Sequence, residues 1–393
     1  MSKQERTRRT CQIAILAGLM GITGLIAAAT GRTSTATPIP EAPDLKARPR
    51  IEVAFVLDTT GSMSGLIDGA KQKIWSVANQ MADGQPKPEI RIGLIGYRDR
   101  GDTYVTRRFD LTDDIDAIYA QLFAFDADGG GDTPESVNQA LHEAVTKFGW
   151  SDSQNVYKVI FLVGDAPPHM DYQDDVKYPD VVRLARAKGI VVNTIQCGGM
   201  AGTTQIWQKI AKAGFGDFAA IAQGGGMVAI ATHVDDELAR LNRDLTATAL
   251  AYGSDEHKRE LASKLEGAAA APPSVVAERL SYLKKAGGRL NSGRSDLADA
   301  VKQGLVKVGE LSAKLLPGEM QAMAPEEREA FVQQKIEERE AIQGRIDTLT
   351  KDRDAYVRTE TERLRSSGKA DGFDEKVLGT IRAQAAAAGI AYE

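Results

Sequence analysis

Oxygen-bearing side chains stand at alternate positions near the end of residues 51–64, IEVAFVLDTTGSMS, as Asp58, Thr60 and Ser62. One carboxylate and two hydroxyls are hard donors, which suit Mg²⁺, Mn²⁺ or Ca²⁺ and do not suit a soft metal. Each of these residues alone could equally be a turn residue or a helix cap. The pattern therefore indicates a divalent-cation site only if further oxygen donors lie close to it.

Two further donors follow apolar segments downstream. Thr133 comes after the glycine-containing loop of residues 126–132, and Asp165 comes just after the apolar segment of residues 156–163. In open α/β sheets, ligands bind outside the carboxyl ends of the strands. We therefore predict that three loops at one edge of a sheet form a single metal site, with Asp58, Thr60, Ser62, Thr133 and Asp165 as its residues.

The elements that must position these residues alternate between strands and helices. Thr133, Pro134 and Glu135 form a helix-start signal, with a capping hydroxyl, a proline at the first position and an acid in the first turn. This alternation predicts a doubly wound, mostly parallel α/β sheet. The predicted strands are residues 51–57, 90–97, 104–109 (an edge strand), 156–163, 190–195 and 217–222, and the predicted helices are residues 66–81, 115–125, 133–148, 180–187 and 205–212.

The first loop and the order of these elements resemble the von Willebrand factor A family. The metal-ion-dependent adhesion site of that family opens with Asp-x-Ser-x-Ser at the first strand, and Thr60 here keeps the hydroxyl of the first serine. The resemblance covers about residues 51–223. This chain departs from the family pattern in the third loop, where residues 166–168 (Ala-Pro-Pro) replace the glycine that often follows the aspartate.

The resemblance implies a role for each site residue. Thr60, Ser62 and Thr133 would bind the cation directly, while Asp58 and Asp165 would act mainly through water. The cation would be Mg²⁺, or Mn²⁺ or Ca²⁺, and it would keep one position open for an Asp or Glu carboxylate of a partner protein. The resemblance thus predicts divalent-cation-dependent protein binding, as in cell adhesion, and no catalytic residues.

The chain is long enough for two domains. Residues 1–30 carry basic residues before an apolar run and an Ala-Ala-Ala stretch behind it, which predicts a signal peptide or an uncleaved membrane anchor. Either leader would export the rest to the periplasm or the exterior. We predict a flexible tether at residues 31–50, the A domain at residues 51–250, a linker at residues 251–273 and an α-helical region at residues 274–393.

The helical region changes in composition to Ala, Glu, Lys, Arg and Leu. Helices are predicted at residues 274–286, 295–316, 325–365 and 373–389. An apolar stripe in the third of these resembles a coiled-coil seam, but Arg353 and Glu360 interrupt its heptads. A helical hairpin or small bundle, used for docking or for homo-oligomerisation, is the simpler prediction.

Composition excludes several functions. The net charge of −5 argues against nucleic-acid binding, and the two cysteines, Cys11 and Cys197, predict no internal disulfide. The sequence contains no Gly-x-Ser-x-Gly, no His-Glu-x-x-His and no phosphate-binding loop, so we expect a protein that is not an enzyme. Two alternatives stay open: a helical scaffold with a structural A domain, and an uncharacterised metal-dependent hydrolase.

Three further features are expected to be structural. The tripeptide Arg100-Gly101-Asp102 matches an integrin-binding sequence, but we predict a solvated turn. His169 and the aspartates after it are predicted to form a solvated acidic loop. Cys197 is predicted to be a buried, inert thiol.

Overall fold

The computed structural model describes residues 48–392, except residues 132, 154, 225, 227, 228, 292 and 369–371. The predicted leader and most of the predicted tether lie outside the described residues. Within the described part of the chain, no helix combines the length and the apolar character that crossing a bilayer requires.

Among the described residues, six strands form one sheet in the order β3-β2-β1-β4-β5-β6, and only β3 of these runs antiparallel to its neighbour. Strands β1, β2, β4 and β5 are rich in apolar and β-branched residues because both of their faces are buried. The predicted doubly wound, mostly parallel sheet is confirmed. The strands are β1 (Arg50–Asp58), β2 (Glu89–Tyr97), β3 (Thr106–Thr112), β4 (Val156–Gly164), β5 (Ile190–Cys197) and β6 (Phe215–Ile221).

Five helices connect these strands and cover both faces of the sheet. Alternate side chains of β1 point to opposite faces: Val53 and Phe55 pack in the cluster that contains α1, and Ala54 and Val56 pack in the cluster that contains α3. The helices are α1 (Ser64–Met81), α2 (Ile115–Phe123), α3 (Val137–Lys147), α4 (Tyr178–Ala187) and α5 (Ala201–Ala213).

The helical region shares the core of the sheet. Val276 and Leu280 of α8 and Val377 of α11 belong to the same apolar cluster as α1. The side chain of Gln384 in α11 also accepts a hydrogen bond from the Tyr157 hydroxyl of β4. Helices distant in sequence thus complete one face of the sheet. They are α6 (Asp235–Thr246), α7 (Asp255–Ala270), α8 (Pro273–Lys285), α9 (Leu297–Lys302), α10 (Pro325–Ser366) and α11 (Gly372–Ala385).

The predicted linker at residues 251–273 is wrong. Helix α7 occupies most of it, with Leu261 and Ala268 buried. Alanine is the best helix former, so the alanines before residue 271 extend α7, and Pro273 then starts α8 at a position where a proline costs little.

The predicted helix at residues 295–316 is also wrong beyond its first part. Helix α9 ends at Lys302, and Gly304 follows with φ +69°, a left-handed conformation that stops a helix. Three single turns of 3₁₀-helix follow. Helix α10 is a single helix of 42 residues that packs on α6, α8 and α9. Arg353, which interrupts the heptads, is buried there in an ion pair with Asp235.

Candidate metal site

Two predicted site residues lie at the carboxyl ends of neighbouring strands. Strands β1 and β4 are paired in parallel up to Leu57 and Val163, so Asp58 and Asp165 follow at the same edge of the sheet. A Cβ atom on Gly164 would lie 3.0 Å from Asp58 Oδ2, so the close approach of the two strand ends requires a glycine there. The order of strands reverses at this point, which is where ligands bind in such sheets.

The first loop folds its donors around Asp58, which is fully buried. The backbone N–H and the hydroxyl of Thr60 both donate to Asp58 Oδ1, at 2.9 and 2.7 Å. The hydroxyl of Ser62 lies 3.3 Å from the Thr60 hydroxyl. The second oxygen, Asp58 Oδ2, is buried without a hydrogen-bond partner. The structure therefore brings together the three donors of the first loop and leaves one carboxylate oxygen unsatisfied.

The glycine loop lies directly against the first loop. Gly61 N–H donates to Gly129 O at 3.2 Å, and a Cβ atom on Gly130 would lie 3.2 Å from Thr60 Cβ. Gly129 and Gly130 have φ +79° and +86°, and the Asp102 carboxylate fills the space where Gly129 would carry a side chain. The glycines are thus needed both for the turn and for this close approach.

Thr133 is exposed at the end of this loop. The helix that was predicted to start at Thr133 starts later in the chain. Helix α3 begins at Val137, with Ser136 as its N-cap residue. The backbone of Glu135 is instead paired with the third loop, since its N–H donates to Pro167 O and its C=O accepts from His169 N–H. These long-range hydrogen bonds take the groups that a helix start at Thr133 would use, so Thr133 is not a helix cap.

Glu135 is a site residue that the sequence did not suggest. Its side chain is 3% exposed. A Cβ atom on Gly130 would lie 3.5 Å from Glu135 Oε1 and 3.2 Å from Thr60 Cβ, so Glu135 and Thr60 both border this point of the glycine loop. Glu135 Oε2 is buried without a hydrogen-bond partner. Burial, together with the charges of Asp58 and three other aspartates, raises the pKa of Glu135 to about 9. A glutamate after a proline is typical of the first turn of a helix, so the sequence carried no signal of this role.

The electrostatics of the site are those of acids without a counter-ion. Burial and, to a smaller extent, the Asp165 carboxylate raise the pKa of Asp58 to about 7, against the lowering effect of the hydrogen bonds from Thr60. Burial also raises the pKa of the Cys197 thiol, as expected for an inert cysteine. Asp165 completes the site, and its Oδ2 accepts a hydrogen bond of 2.6 Å from Gln223 Nε2.

A divalent cation fits this donor set. The buried, unpartnered oxygens of Asp58 and Glu135 carry an energetic cost that a cation would remove, and the nearby hydroxyls are hard donors. Among the described residues, no three His, Cys, Asp or Glu side chains are arranged as a metal site by themselves. The candidate site therefore depends on its hydroxyl oxygens as much as on its carboxylates.

A hydrogen-bonded network supports the third loop beside this site. His169 is 5% exposed and stacks on the Tyr172 ring at 4.0 Å, so it does not belong to a solvated loop as predicted. Asp99 accepts hydrogen bonds from the hydroxyls of Tyr172 and Ser136, at 2.8 and 2.9 Å. Only the exposed aspartates of the loop, such as Asp174, match the prediction.

The Arg-Gly-Asp tripeptide forms a turn in which Arg100 and Gly101 are exposed, as predicted. Arg100 forms ion pairs of 2.9 Å with Asp174 and Asp175, and Asp102 accepts a hydrogen bond from Gly130 N–H. Its charged side chains also support the neighbouring loops.

Residues 52–234 match the family model of the von Willebrand factor A domain. The chain therefore contains a von Willebrand factor A domain, and the family that its first loop resembles is confirmed. Human von Willebrand factor A domain-containing protein 7 is 36% identical over 97 residues, which are 25% of this chain and 10% of that protein. A putative ariadne-like RING finger protein R811 of Acanthamoeba polyphaga mimivirus is 28% identical over 119 residues, which are 30% of this chain and 11% of that protein.

The chain thus spans about a tenth of the length of the curated relatives that it matches. Among solved structures it is similar to proximal thread matrix protein 1 from the mussel byssus, with 17% identity and a TM-score of 0.34, over 44% of this chain and 42% of that one. Another structure of that protein has a zinc-occupied adhesion site and gives a TM-score of 0.35 with 17% identity, over 45% of this chain and 42% of that one.

Proposed function

We propose that this protein binds a protein partner through a divalent cation at the Asp58 site, and that it does so without catalysing a reaction. The observation that carries the proposal is the pair of buried carboxylates, Asp58 and Glu135, that each have an oxygen without a partner. An unpaired buried acid destabilises a fold, and a cation that both oxygens reach removes that cost.

Each residue of the site has a defined part in this proposal. The hydroxyls of Thr60, Ser62 and Thr133 hold the cation as neutral donors, and Asp58 and Asp165 balance its charge. Mg²⁺ is the cation proposed, with Mn²⁺ or Ca²⁺ as alternatives, and it supplies a coordination position for a carboxylate from outside. We add Glu135 to the family set as a further carboxylate beside Thr60.

The partner is therefore a protein that offers an Asp or Glu side chain on its surface. Neutral hydroxyls around the cation leave its attraction for such a carboxylate largely intact. The exposure of Ser62 and Thr133 supports access from solvent. The helical region shares the core of the A domain, so we propose that it serves as a rigid base for docking or oligomerisation.

A capture experiment tests the binding proposal. The protein is immobilised and exposed to an envelope extract in Mg²⁺ or in EDTA, with Asp58→Asn as the matched variant. We expect a partner that is retained in Mg²⁺, released by EDTA and not captured by Asp58→Asn. Replacing the partner's acidic residues by their amides one at a time should then identify the carboxylate. A partner retained equally in EDTA and by the variant would support the scaffold alternative instead.

We also propose export to the periplasm or the exterior, with cleavage of the leader or anchorage by it. The basic and apolar pattern of residues 1–30 supports this proposal. Fractionation and N-terminal sequencing of the natural protein test it, and we expect a start near Thr30 or an intact chain in the membrane fraction. A soluble cytoplasmic protein that retains its first residues would contradict it.

A further inference from the structure

Gln223 lies in the loop that follows β6 and contacts residues of the first and third loops of the metal site. Its amide Nε2 donates to Asp165 Oδ2 at 2.6 Å and lies 3.3 Å from Ser62 O. It also lies 4.0 Å from Met63 Sδ. Nothing in the family pattern of the first, second and third loops includes this residue. One side chain thus joins the first loop to the third.

The fold provides a seat for this side chain. A Cβ atom on Gly198 would overlap Gln223 Oε1, and a Cβ atom on Gly65 would lie 3.1 Å from Gly224 Cα. Gly198 also has φ +72°, a conformation that favours glycine. Two glycines on separate elements therefore make room for Gln223 and for the backbone that carries it.

The backbone carbonyl of Asp165 is held by a separate hydrogen bond, so the contact with Gln223 acts mainly on the position of the Asp165 carboxylate. The backbone C=O of Asp165 accepts a hydrogen bond from the Thr203 hydroxyl at 2.9 Å. With this carbonyl held in place, the Asp165 carboxylate can still rotate about its side-chain bonds. The amide of Gln223 restricts that rotation by taking Oδ2, and it leaves Oδ1 for the cation or its water.

We infer that Gln223 is a positioning residue of the metal site, which orients the Asp165 carboxylate by a hydrogen bond from a seat lined by glycine. The inference rests on the proposed function, because it gives Gln223 a role in binding the same cation. A neutral amide suits this role because it donates to the carboxylate without adding a charge that would repel a cation. Partners that orient a ligand in this way typically change metal affinity by 10-fold or more.

The test compares Mn²⁺ binding by the wild type and by Gln223→Ala, measured by titration calorimetry on the full chain. We expect Gln223→Ala to bind Mn²⁺ about 10-fold more weakly, as do other variants that lose such a partner. Because Gln223 is exposed, the melting temperature of the metal-free protein should not change. The matched control is Gln205→Ala, an exposed glutamine of α5, which should bind as the wild type does.

A second variant tests the glycine seat. Gly198→Ala should displace the Gln223 side chain and weaken Mn²⁺ binding, whereas the double variant should bind no more weakly than Gln223→Ala alone. Equal Mn²⁺ affinity of Gln223→Ala and the wild type would overturn the inference and leave the proposed function standing. If Gln223→Ala bound Mn²⁺ more weakly and also lowered the melting temperature of the metal-free protein, the inference would be overturned too, since that result indicates a structural role. A wild type that binds no Mn²⁺ would overturn both.

Discussion

Buried carboxylates occur in two regions of this molecule, and their charges are balanced in different ways. In the helical region, Arg339 lies 2.7 Å from both Asp296 and Asp299, and it also donates to Thr248. These side chains are almost completely buried, and every oxygen of the two aspartates accepts a hydrogen bond. Two similar clusters join Arg353 to Asp235 and Glu278, and Arg279 to Asp116.

The metal site has equally buried acids but a different balance. Asp58 and Glu135 each keep an oxygen without a partner, and the neighbouring charges that act most strongly on Glu135 are other carboxylates. The chain therefore places arginines against buried acids where it builds its helical core, and it leaves two acids uncompensated at the edge of the sheet. This difference is the one that the proposed function predicts, because its cation would supply the counter-charge from outside the chain.

The largest effect is expected when a buried arginine of the helical region is removed from its ion pairs. Arg339→Ala leaves Asp296 and Asp299 buried without their cation, and we expect it to lower the free energy of unfolding by about 3–5 kcal/mol. Urea denaturation measures the loss. The matched control is Arg345→Ala on the same helix, whose exposed pair with Glu237 should contribute less than about 1 kcal/mol. Similar losses in the free energy of unfolding for both variants would show that the buried cluster stabilises the fold no more than an exposed ion pair does.

The second prediction concerns the pH dependence of the unbalanced region. The pKa values of about 7 for Asp58 and about 9 for Glu135 lie above the unfolded values near 4, so the folded, metal-free protein retains protons that the unfolded chain releases. Stability present at low pH is then lost as pH rises toward 9, by about 1.4 kcal/mol per pH unit for each retained proton.

Urea denaturation in EDTA at pH 5, 7 and 8.5 measures this slope. The double variant Asp58→Asn, Glu135→Gln has no such protons to retain at these positions, so its stability should depend less on pH over the same range. A wild type that becomes more stable between pH 5 and 8.5, or that matches the variant throughout, would show that the two acids are not held in their protonated form.

Much of the A domain could be predicted from sequence because its strands are continuous apolar segments and its first loop carries a recognisable pattern. Asp58, Thr60, Ser62 and Asp165 lie at strand ends that local sequence defines. Glu135 could not be found in this way. Its position depends on backbone pairing with Pro167 and His169, which are more than thirty residues away along the chain.

The linker predicted between the two regions was wrong for a similar reason. An alanine- and proline-rich stretch such as residues 268–273 is typical of a linker when it is considered alone. The helices on either side of it, α7 and α8, are joined to elements that are distant in sequence, as by the salt bridge of Lys264 with Asp114 and that of Arg279 with Asp116. Local composition does not contain such contacts.

The third prediction concerns the effect of a divalent cation on the stability of the protein. Mg²⁺ or Mn²⁺ at 100 times its dissociation constant should raise the free energy of unfolding by about 2.7 kcal/mol, because it binds only the folded chain. Asp58→Asn should abolish this rise without lowering metal-free stability, since the amide oxygen can still accept from Thr60 and carries no charge to bury. Asp68→Asn, on the exposed side of α1, is the control and should respond as the wild type does. An unchanged response of Asp58→Asn would exclude this carboxylate from the cation site.

The smallest expected effect on stability separates a ligand from a structural hydroxyl. Thr133 is exposed and caps no helix, so Thr133→Ala should change metal-free stability by less than about 0.5 kcal/mol. It should still weaken Mn²⁺ binding several-fold, because a donor is lost, and Thr133→Ser should restore that binding.

Ser136→Ala is the matched comparison three residues further on. Its buried hydroxyl donates to Asp99, so we expect a loss of stability of about 1–3 kcal/mol with little change in cation affinity. Calorimetric titration with Mn²⁺ and urea denaturation of the four proteins measure both quantities. If Thr133→Ala lost stability and kept its affinity, Thr133 would belong with the internally balanced groups, and the second loop would contribute Glu135 alone to the site.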